Sequence, residues 1–330
     1  MKAIRYDGEN RISIAELPDP EPSADDLLIR VTASAVCASE RGGYASPGGS
    51  PSNGGHETVG VVLDARSART LKAGDRVLVY PVCGCGACRH CLGQEFTKCA
   101  DYRFLPPGHC ELIAAPERAL IPIPEGLTDA AALALLGCGI GVAYGGASAL
   151  DLPGARTVFV VGLGPIGLAS VMLHRFLGAY VIGSDLHEAR LRLAEQLGAH
   201  ATIQAGECDP VERARELTGG VGPDATIECS GAQAGFRQAL SAVRVGGTVI
   251  ALGGSRDNLV SAFPDLSSRY ITLKGVWHYH RHQAADLFRL VVAGLDPTPL
   301  VTHIFPYPRA QEAYDLFSAG QTGKVVLTWV

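Results

Sequence analysis

The sequence predicts an α/β protein with two domains, one rich in β-strands and one built on a doubly wound parallel sheet. A chain of 330 residues is longer than one hydrophobic core usually supports, so two domains are expected. Up to about residue 125, short apolar runs are separated by Gly, Pro, Asp and Ser, as is typical of strands and turns. Beyond Gly154, apolar strands alternate with helical segments, which indicates a parallel sheet covered on both faces.

Four apolar runs in the first part predict strands, and a long segment between them predicts irregular structure. Residues 37–57 are so rich in Gly, Ser and Pro that no regular element is expected there. After the strands, residues 128–150 form an apolar, helix-favouring run with Thr128 as its N-cap. The four strand runs are RISIAEL (11–17), DLLIRVTASAV (26–36), TVGVVLDA (58–65) and DRVLVYPV (75–82).

In the second half, an apolar strand repeatedly precedes a helical segment. In the helix expected over residues 187–199, Leu191, Ala194 and Leu197 share one apolar stripe, and Gly198 stands where glycine commonly ends a helix. The predicted strands are TVFVV (157–161), YVIGSD (180–185), ATIECSG (225–231), GTVIALGG (247–254), ITLKGVW (271–277) and the C-terminal GKVVLTWV (323–330).

The composition argues against several function classes. The chain is 47% hydrophobic and 18% charged, as in folded globular proteins. Its formal net charge is −5 without a basic tail, so neither nucleic acid nor an anionic membrane is an expected partner. No secretory signal is visible, and no apolar stretch is expected to be long enough to cross a bilayer. We therefore expect a cytoplasmic protein, whose ten cysteines hold metal or do chemistry rather than form disulfides.

Three glycines directly follow the strand at 157–161 and open the next helix. Glycines here allow a tight turn and a close approach to a pyrophosphate, to which the helix N-terminus presents unpaired N–H groups. The next strand ends in Asp185, whose carboxylate can bind the adenosine ribose and would repel a 2′-phosphate, so NAD is predicted over NADP. The alternative is a doubly wound domain without a dinucleotide. The predicted coenzyme-binding residues are Gly162, Gly164, Pro165, Ile166, Gly167, Asp185 and Arg190.

Five cysteines crowd residues 83–99. Four of them have the spacing C-x2-C-x2-C-x7-C, and four thiolates this close can form a tetrahedral shell around zinc with no open position for a substrate. The C-x2-C rhythm favours Cys85 over Cys83, which is then the surplus thiol. An iron–sulfur cluster, a zinc module that binds nucleic acid, and redox-active thiols stay open as alternatives. The four predicted structural ligands are Cys85, Cys88, Cys91 and Cys99.

Three further residues, Cys37, His56 and Cys138, would each be assigned to packing or to a turn if taken alone. In their sequence contexts, however, the chain resembles the zinc-dependent medium-chain dehydrogenase/reductase family. The resemblance is to the alcohol, sorbitol and threonine dehydrogenase branch and covers nearly the whole length. The motifs that carry it are VCASE (36–40), GGHETVGVV (54–62), AGDRV (73–77), CGACRHCLGQEFTKC (85–99), LLGCGIGVAY (135–144), VVGLGPIGL (160–168) and GKVVL (323–327).

The resemblance implies a catalytic zinc held by Cys37, His56 and Cys138. Glu57 would lie beside it as an occasional or alternative ligand. Three protein ligands leave the fourth position to water or substrate, as catalytic zinc requires. Glu40, which stands where the family usually has Asp, would orient His56 from behind.

The implied proton path departs from the family pattern. Ser39 matches the Ser or Thr that takes the proton from the substrate oxygen and passes it to the nicotinamide ribose. Many relatives then use a histidine five residues after the first zinc cysteine, and this chain has Gly42 there. Tyr44 or ordered water is expected to replace that histidine.

The resemblance also implies an architecture and a reaction. Residues 1–140 and 278–330 would form a GroES-like, partly open β-barrel, and residues 141–277 a Rossmann domain that binds NAD. The implied activity is reversible, NAD-linked oxidation of a secondary alcohol of the polyol, amino-alcohol or cyclitol type to a carbonyl. It would use two zinc ions per chain, in a homo-oligomer of two or four subunits. The alternatives are a zinc-dependent aldehyde or ketone reductase, or a non-catalytic NAD-binding protein with only the structural zinc.

The segment WHYHRH places His278, His280 and His282 at alternating positions. In a strand the three imidazoles would share one face. We expect them to be solvated or to line the cleft, rather than to bind a metal.

Overall fold

The structure, a computed structural model, describes residues 1–50, 52–66, 68–150, 157–254 and 257–329. Its strands are β1 (Lys2–Gly8), β2 (Arg11–Glu16), β3 (Asp26–Ala35), β4 (Thr58–Asp64), β5 (Arg76–Val79), β6 (Val82–Cys83), β7 (Arg103–Phe104), β8 (Leu112–Pro116), β9 (Leu120–Pro122), β10 (Thr157–Val161), β11 (Tyr180–Asp185), β12 (Ala201–Gln204), β13 (Ala225–Glu228), β14 (Thr248–Ala251), β15 (Thr272–Gly275), β16 (Val301–Pro306) and β17 (Lys324–Thr328). Its α-helices are α1 (Arg41–Ala45), α2 (Arg89–Leu92), α3 (Asp129–Leu136), α4 (Ile140–Ser148), α5 (Pro165–Phe176), α6 (Glu188–Gln196), α7 (Pro210–Glu216), α8 (Gln233–Ala242), α9 (Ala284–Val292) and α10 (Ala310–Ser318).

One large sheet combines the N-terminal part of the chain with its C-terminal end. Its strand order is β16-β17-β3-β4-β5-β9, with β8 also paired to β3. Only the β16–β17 pair is parallel. Burial alternates along most of β3, as expected for a strand with one face on a core, and its pairing with β4 shifts register twice, which bends the sheet. The curved sheet carries β3, and the turn after β3 begins the candidate site.

The other large sheet is parallel and has the strand order β12-β11-β10-β13-β14-β15. Val158 and Val160 of β10 belong to one buried cluster, while Phe159 and Val161 belong to another. Helices therefore cover both faces, as the unbroken apolar runs predict. Strand order reverses between β10 and β13, and this point at the carboxyl ends is where doubly wound sheets bind ligands.

The helical run predicted from Thr128 is interrupted. The Thr128 side chain accepts a hydrogen bond from the Ala131 backbone N–H (3.2 Å), which confirms it as the N-cap. The run then divides into α3 and α4 around residues 137–139. By length and composition, residues 129–148 could cross a membrane, so the expectation that no stretch is long enough is wrong. In the fold, 83% of that window is buried, which is how a core helix also acquires this composition.

A second local prediction concerns the apolar stripe and the C-terminal end of α6. Leu191 and Ala194 are buried on the predicted stripe, while Leu197 is only partly buried. Gly198 follows the end of the helix with a φ of +100°, a conformation that glycine adopts at little cost. Both the stripe and the helix end are therefore confirmed.

Candidate active site

The site begins at the turn that follows β3. Cys37 immediately precedes a single 3-10 turn over residues 38–40, and its backbone N–H donates to Glu40 Oε2 (3.1 Å). This hydrogen bond folds the Glu40 side chain back beside Cys37. Ser39 is exposed on the same turn, and no hydrogen bond of its hydroxyl to the described residues is found.

His56 is placed by the two glycines before it. Gly54 and Gly55 have φ values of +68° and +82°, and a Cβ at Gly55 would lie 2.2 Å from the backbone nitrogen of His109. Only glycine fits this approach. The Gly55 N–H donates to Glu40 Oε1 (2.7 Å), and His56 Nδ1 lies 3.3 Å from the same oxygen. An ionised carboxylate only accepts, so Nδ1 carries a proton, and Nε2 is the nitrogen that can bind a metal when it is deprotonated.

Cys138 occupies the break between α3 and α4. A Cβ at Gly137 would lie 2.1 Å from Glu57 Oε2, and one at Gly139 would lie 2.6 Å from the Ala134 carbonyl oxygen. Glycines on both sides therefore let the chain turn tightly against Glu57. The Cys138 N–H donates to Glu57 Oε2 (2.7 Å), which fixes the thiol relative to the glutamate.

Donor atoms of Cys37, His56, Glu57 and Cys138 all lie within 4.8 Å of one another. Zinc with bonds of roughly 2.3 Å to sulfur and 2.0 Å to nitrogen keeps two such ligands about 3.5 Å apart. His56 Nε2 lies 3.2 Å from Cys138 Sγ, close to that separation. A hydrogen bond with Cys138 and the nearby His56 imidazole hold the pKa of Cys37 well below its usual range, which favours the thiolate that binds metal. These residues fit a zinc ion.

Glu57 is already bound by a buried lysine. Lys324 Nζ donates to Glu57 Oε1 (2.8 Å) and Oε2 (2.7 Å), and both side chains are about 99% buried. Burial alone would lower the pKa of Lys324, but the carboxylate beside it raises that pKa above its ordinary value, so the lysine is charged. The motif GKVVL includes Lys324, but the sequence alone gives this lysine no role.

The glycine turn after β10 is shaped for a phosphate group. Gly162 has a φ of +88°, and a Cβ there would lie 2.5 Å from Ser230 Cα; one at Gly167 would lie 1.8 Å from the Gly162 carbonyl oxygen. At Gly164, by contrast, nothing lies within 4 Å of an added Cβ. Since α5 begins at Pro165 with no side-chain cap, the first free N–H groups of the helix face open space. A pyrophosphate fits this cradle.

The turn and the metal-type cluster line one groove of about 340 Å³. Cys37, Cys138 and Asp185 all line this groove. Gly167 is absent from the lining because it packs the helix against the turn instead. The predicted coenzyme-binding residues that line the groove are Gly162, Gly164, Pro165, Ile166, Asp185 and Arg190.

Asp185 is held in place by backbone groups. The N–H of Leu163 donates to Oδ2 (2.7 Å) and the N–H of His187 donates to Oδ1 (2.9 Å). Each oxygen keeps acceptor capacity for a further donor, such as a ribose hydroxyl. The Arg190 guanidinium lies 3.7 Å from Oδ2, and its buried Nε has no hydrogen-bond partner among the residues with described positions.

The four spaced cysteines of the lobe at residues 85–99 also converge. Their sulfur atoms lie within 4.8 Å of one another, with Cys91 Sγ 3.6 Å from Cys88 Sγ and 3.8 Å from Cys85 Sγ. Zinc with four sulfur ligands at roughly 2.3 Å separates them by about 3.8 Å, so the set fits a closed zinc site. Backbone N–H groups of Ala87 and Cys88 lower the pKa of Cys85 to about 6. Cys83 lies outside the group.

Comparison with known proteins agrees with this geometry. Residues 23–125 match the alcohol dehydrogenase GroES-like domain, and residues 165–293 match the zinc-binding dehydrogenase domain. An uncharacterised zinc-type alcohol dehydrogenase-like protein, YphC of Escherichia coli K12, is 33% identical over 100% of this chain and 99% of its own. The chain belongs to the zinc-binding alcohol dehydrogenase family. An L-threonine 3-dehydrogenase of Photorhabdus laumondii is 30% identical over the full length of both chains.

The solved alcohol dehydrogenase TADH from Thermus sp. ATN1 superposes on this dehydrogenase with a TM-score of 0.90, at 28% identity and over 100% of both chains. The predictions of the family, of its fold, and of an NAD-dependent, zinc-containing alcohol dehydrogenase are thereby confirmed. Zinc and NAD as cofactors are confirmed at the level of the family.

Two buried residues of the dehydrogenase's site have no signal in the sequence. Tyr314 of α10 donates to Glu40 Oε2 (2.7 Å), and His109 lies behind both residues, with its Nε2 3.0 Å from the Tyr314 oxygen. Burial alone would raise the pKa of Glu40, but the His109 and His56 imidazoles hold it well below its usual range. Neither residue belongs to a motif, so only the folded chain shows them.

The alternating histidines are not in a strand. Residues 276–280 are irregular and residues 281–283 form a 3-10 turn, so the expected common face does not exist. His278 is buried, with Nε2 4.0 Å from Cys138 Sγ, while the rings of His280 and His282 stack beside the cysteine lobe. His282 Nδ1 lies 3.0 Å from the Gly93 carbonyl oxygen. His278 is therefore buried next to the site without lining the groove, while His282 is exposed to solvent, as expected.

Tyr44 does not replace the family's relay histidine. Its side chain is 2% exposed, and its hydroxyl donates to Asp315 Oδ1 (2.7 Å) in the core behind α1. It is absent from the groove that Cys37 lines. The expectation for Tyr44 is wrong because α1 turns the ring inward, and ordered water is the alternative that stands.

Replacing Cys91 with serine is expected to remove the metal of the cysteine lobe. Cys91 is buried at the centre of the four sulfurs, and the lobe's own helix, α2, has only four residues to hold it together. Zinc analysis should show a fall from about two ions per chain to about one, with faster proteolysis in the lobe. Cys83→Ala, the neighbouring thiol outside the group, should keep both ions. Two ions in the Cys91 variant would contradict the assignment.

Proposed function

We propose that this dehydrogenase reversibly oxidises a secondary alcohol of the polyol, amino-alcohol or cyclitol type, with NAD rather than NADP as its coenzyme. One observation carries the proposal: the same groove is lined by two thiols of the metal-type cluster and by the glycine turn. A coenzyme on that turn and a substrate at the cluster would therefore meet. The lining supports a substrate with a second polar group, since the charged Arg41 lines the groove together with Cys37 and Cys138.

Different residues of the site would bind the zinc and orient its ligands. Cys37, His56 and Cys138 would hold the catalytic zinc, while Glu40 fixes the His56 ring. Glu57 would stay off the metal in this arrangement, because both of its oxygens are bound by Lys324. Zinc, when bound, would supply a Lewis acid that lowers the pKa of an alcohol hydroxyl, and NAD would accept the hydride.

Ser39 would take the proton of the substrate hydroxyl. It lies two residues after Cys37 on an exposed turn, between Ala38 and Arg41, which both line the groove, although Ser39 itself is not among the lining residues. Nothing lies within 4 Å of a Cβ added at Gly42, which leaves space for water where relatives carry a side chain. We infer that protons leave through this water.

Replacing Asp185 with alanine is expected to weaken NAD binding by roughly tenfold, about the loss of one or two hydrogen bonds, and to reduce discrimination against NADP. Without the carboxylate, the Arg190 guanidinium loses its anionic neighbour and is free to bind a 2′-phosphate. Dissociation constants for NADH and NADPH measured by fluorescence would test this. Asp209→Ala, the N-cap of α7 away from the groove, is the control. An unaltered preference would contradict the ribose assignment.

The substrate proposal is tested by a panel of polyols, amino alcohols, cyclitols and simple alcohols, assayed for NADH absorbance. Higher kcat/KM for the bifunctional alcohols supports it, and preference for ethanol-like substrates contradicts it. Initial rates in both directions separate a dehydrogenase from a reductase. We also infer the predicted division into residues 1–140 with 278–330 and residues 141–277; the homo-oligomer and the cytoplasmic location stay predictions.

A further inference from the structure

A line of buried hydrogen bonds runs from the end of β17 to the metal-type cluster. It passes through side chains from four separate parts of the chain, each at most 8% exposed until it reaches His56. The steps are Trp329 Nε1 to Ser34 Oγ (2.8 Å), Ser34 Oγ to His109 Nδ1 (2.6 Å), His109 Nε2 to the Tyr314 oxygen (3.0 Å), Tyr314 to Glu40 Oε2 (2.7 Å) and Glu40 Oε1 to His56 Nδ1 (3.3 Å).

One arrangement of donors along this line satisfies every group in it. The indole N–H of Trp329 can only donate, so the Ser34 oxygen accepts, and the Ser34 hydrogen is available to His109 Nδ1. His109 then carries its proton on Nε2 and donates to the Tyr314 oxygen. Tyr314 in turn donates to Glu40, an acceptor when ionised. In this arrangement each donor has one acceptor, as buried polar groups require.

Glu40 is the point at which the line reaches the cluster. Its Oε2 accepts from Tyr314 and from the Cys37 N–H (3.1 Å), and its Oε1 accepts from the Gly55 N–H (2.7 Å). Without Tyr314, each oxygen of the Glu40 carboxylate would accept one hydrogen bond from a backbone N–H group. Among the described residues, Tyr314 alone adds a side-chain hydroxyl, and thereby sets the position from which Glu40 Oε1 faces His56 Nδ1.

We propose that Tyr314, held by His109, is a positioning residue of the catalytic metal site, acting on His56 through Glu40. The proposal rests on the proposed function only in taking His56 as a metal ligand. Partners behind a ligating histidine fix its tautomer and ring orientation, and their loss commonly costs 10–100-fold in metal affinity or activity. The C-terminal helix α10 thus contributes to a site whose ligands all come from the first 138 residues.

The test uses Tyr314→Phe, which keeps the ring packed between Tyr6 and Tyr44, at 5.7 and 5.1 Å between ring centroids, and removes the hydroxyl together with its hydrogen bond to the Tyr6 hydroxyl (2.6 Å). Tyr6→Phe, which removes that bond and leaves Tyr314 bonded to Glu40, is the control for this loss. Metal-free protein is titrated with Co²⁺ in competition with a chromophoric chelator. Two classes of site are expected in the wild type. In the variant, the affinity of the three-ligand class should fall about tenfold and its visible d–d bands should shift, while the four-cysteine class stays unchanged.

Tyr44→Phe is the matched control, since this ring belongs to the same aromatic cluster and its hydroxyl binds Asp315 instead of Glu40. An equal loss in the control would assign the effect to packing and overturn the proposal. His109→Leu, which removes the imidazole donor behind Tyr314 and supplies no other, keeps the test decisive if Tyr314→Phe does not fold. Unchanged affinity and bands in the folded variants would overturn this inference alone, whereas a wild type with only the four-cysteine class would overturn the proposed function as well.

Discussion

Cys37→Ser is expected to reduce kcat by more than about 100-fold, beyond the usual cost of a residue that only supports a metal ligand. The serine hydroxyl is not ionised at neutral pH, so the site loses one of its anionic donors. NAD affinity should change little, because the groups proposed to bind the coenzyme are the glycine turn and Asp185, and the substitution leaves both unchanged. Steady-state kinetics, zinc content and an NADH titration measure the three quantities separately.

Cys208→Ser is the control for this change. Cys208 is exposed on the surface and belongs to neither group of metal-type donors. Its replacement should leave turnover, zinc content and NADH binding unaltered. If Cys37→Ser retained full turnover with only the lobe metal present, the catalyst would not be the cation at this site.

Features formed by residues that lie close together in the sequence could be predicted from the sequence. The glycine turn, for example, needs only three glycines after an apolar strand. In the structure, Gly162 and Gly167 lie too close to neighbouring atoms for a side chain, and Gly164 faces open space. The cysteine lobe is equally local, since its four ligands lie within residues 85–99. Local geometry fixes these features, so sequence spacing is sufficient to find them.

The residues that hold the metal-site side chains in place are far apart in the sequence, so sequence spacing does not reveal their contacts. Tyr314 lies 274 positions from Glu40, and Lys324 lies 267 positions from Glu57. Both pairs form because β17 lies beside β3 and brings the C-terminal segment to the turn that follows β3. A tyrosine in an amphipathic helix and a lysine at the start of a strand look ordinary in sequence, and their burial is visible only in the fold.

The alternating histidines do not form a strand, because packing contacts hold their segment in another conformation. The alternation of His278, His280 and His282 resembles a strand, but the segment is pinned by Tyr279, whose hydroxyl donates to the Leu136 carbonyl oxygen (2.6 Å). This hydrogen bond draws the chain toward the end of α3 and ends any sheet pairing. His278 is thereby directed beside Cys138, and its two neighbours pack on the cysteine lobe.

Lys324→Met is expected to lower the free energy of unfolding by about 3–5 kcal/mol, the usual cost of removing one partner of a buried ion pair. Methionine fills much of the same volume, so little of the loss would come from a cavity. The Glu57 carboxylate would remain fully buried, with the Cys138 N–H as its one remaining hydrogen-bond donor among the described residues. Urea unfolding followed by circular dichroism measures the change.

Comparison with a double variant separates charge from packing. If the cost lies in the unpaired carboxylate, Glu57→Gln added to Lys324→Met should recover a large part of the stability, because the amide has no charge to bury and still accepts from the Cys138 N–H. The exposed pair of Arg192 and Glu188 gives the scale for an ordinary ion pair, and Arg192→Met should cost less than about 1 kcal/mol. A double variant as unstable as Lys324→Met alone would place the cost in packing around the lysine stem.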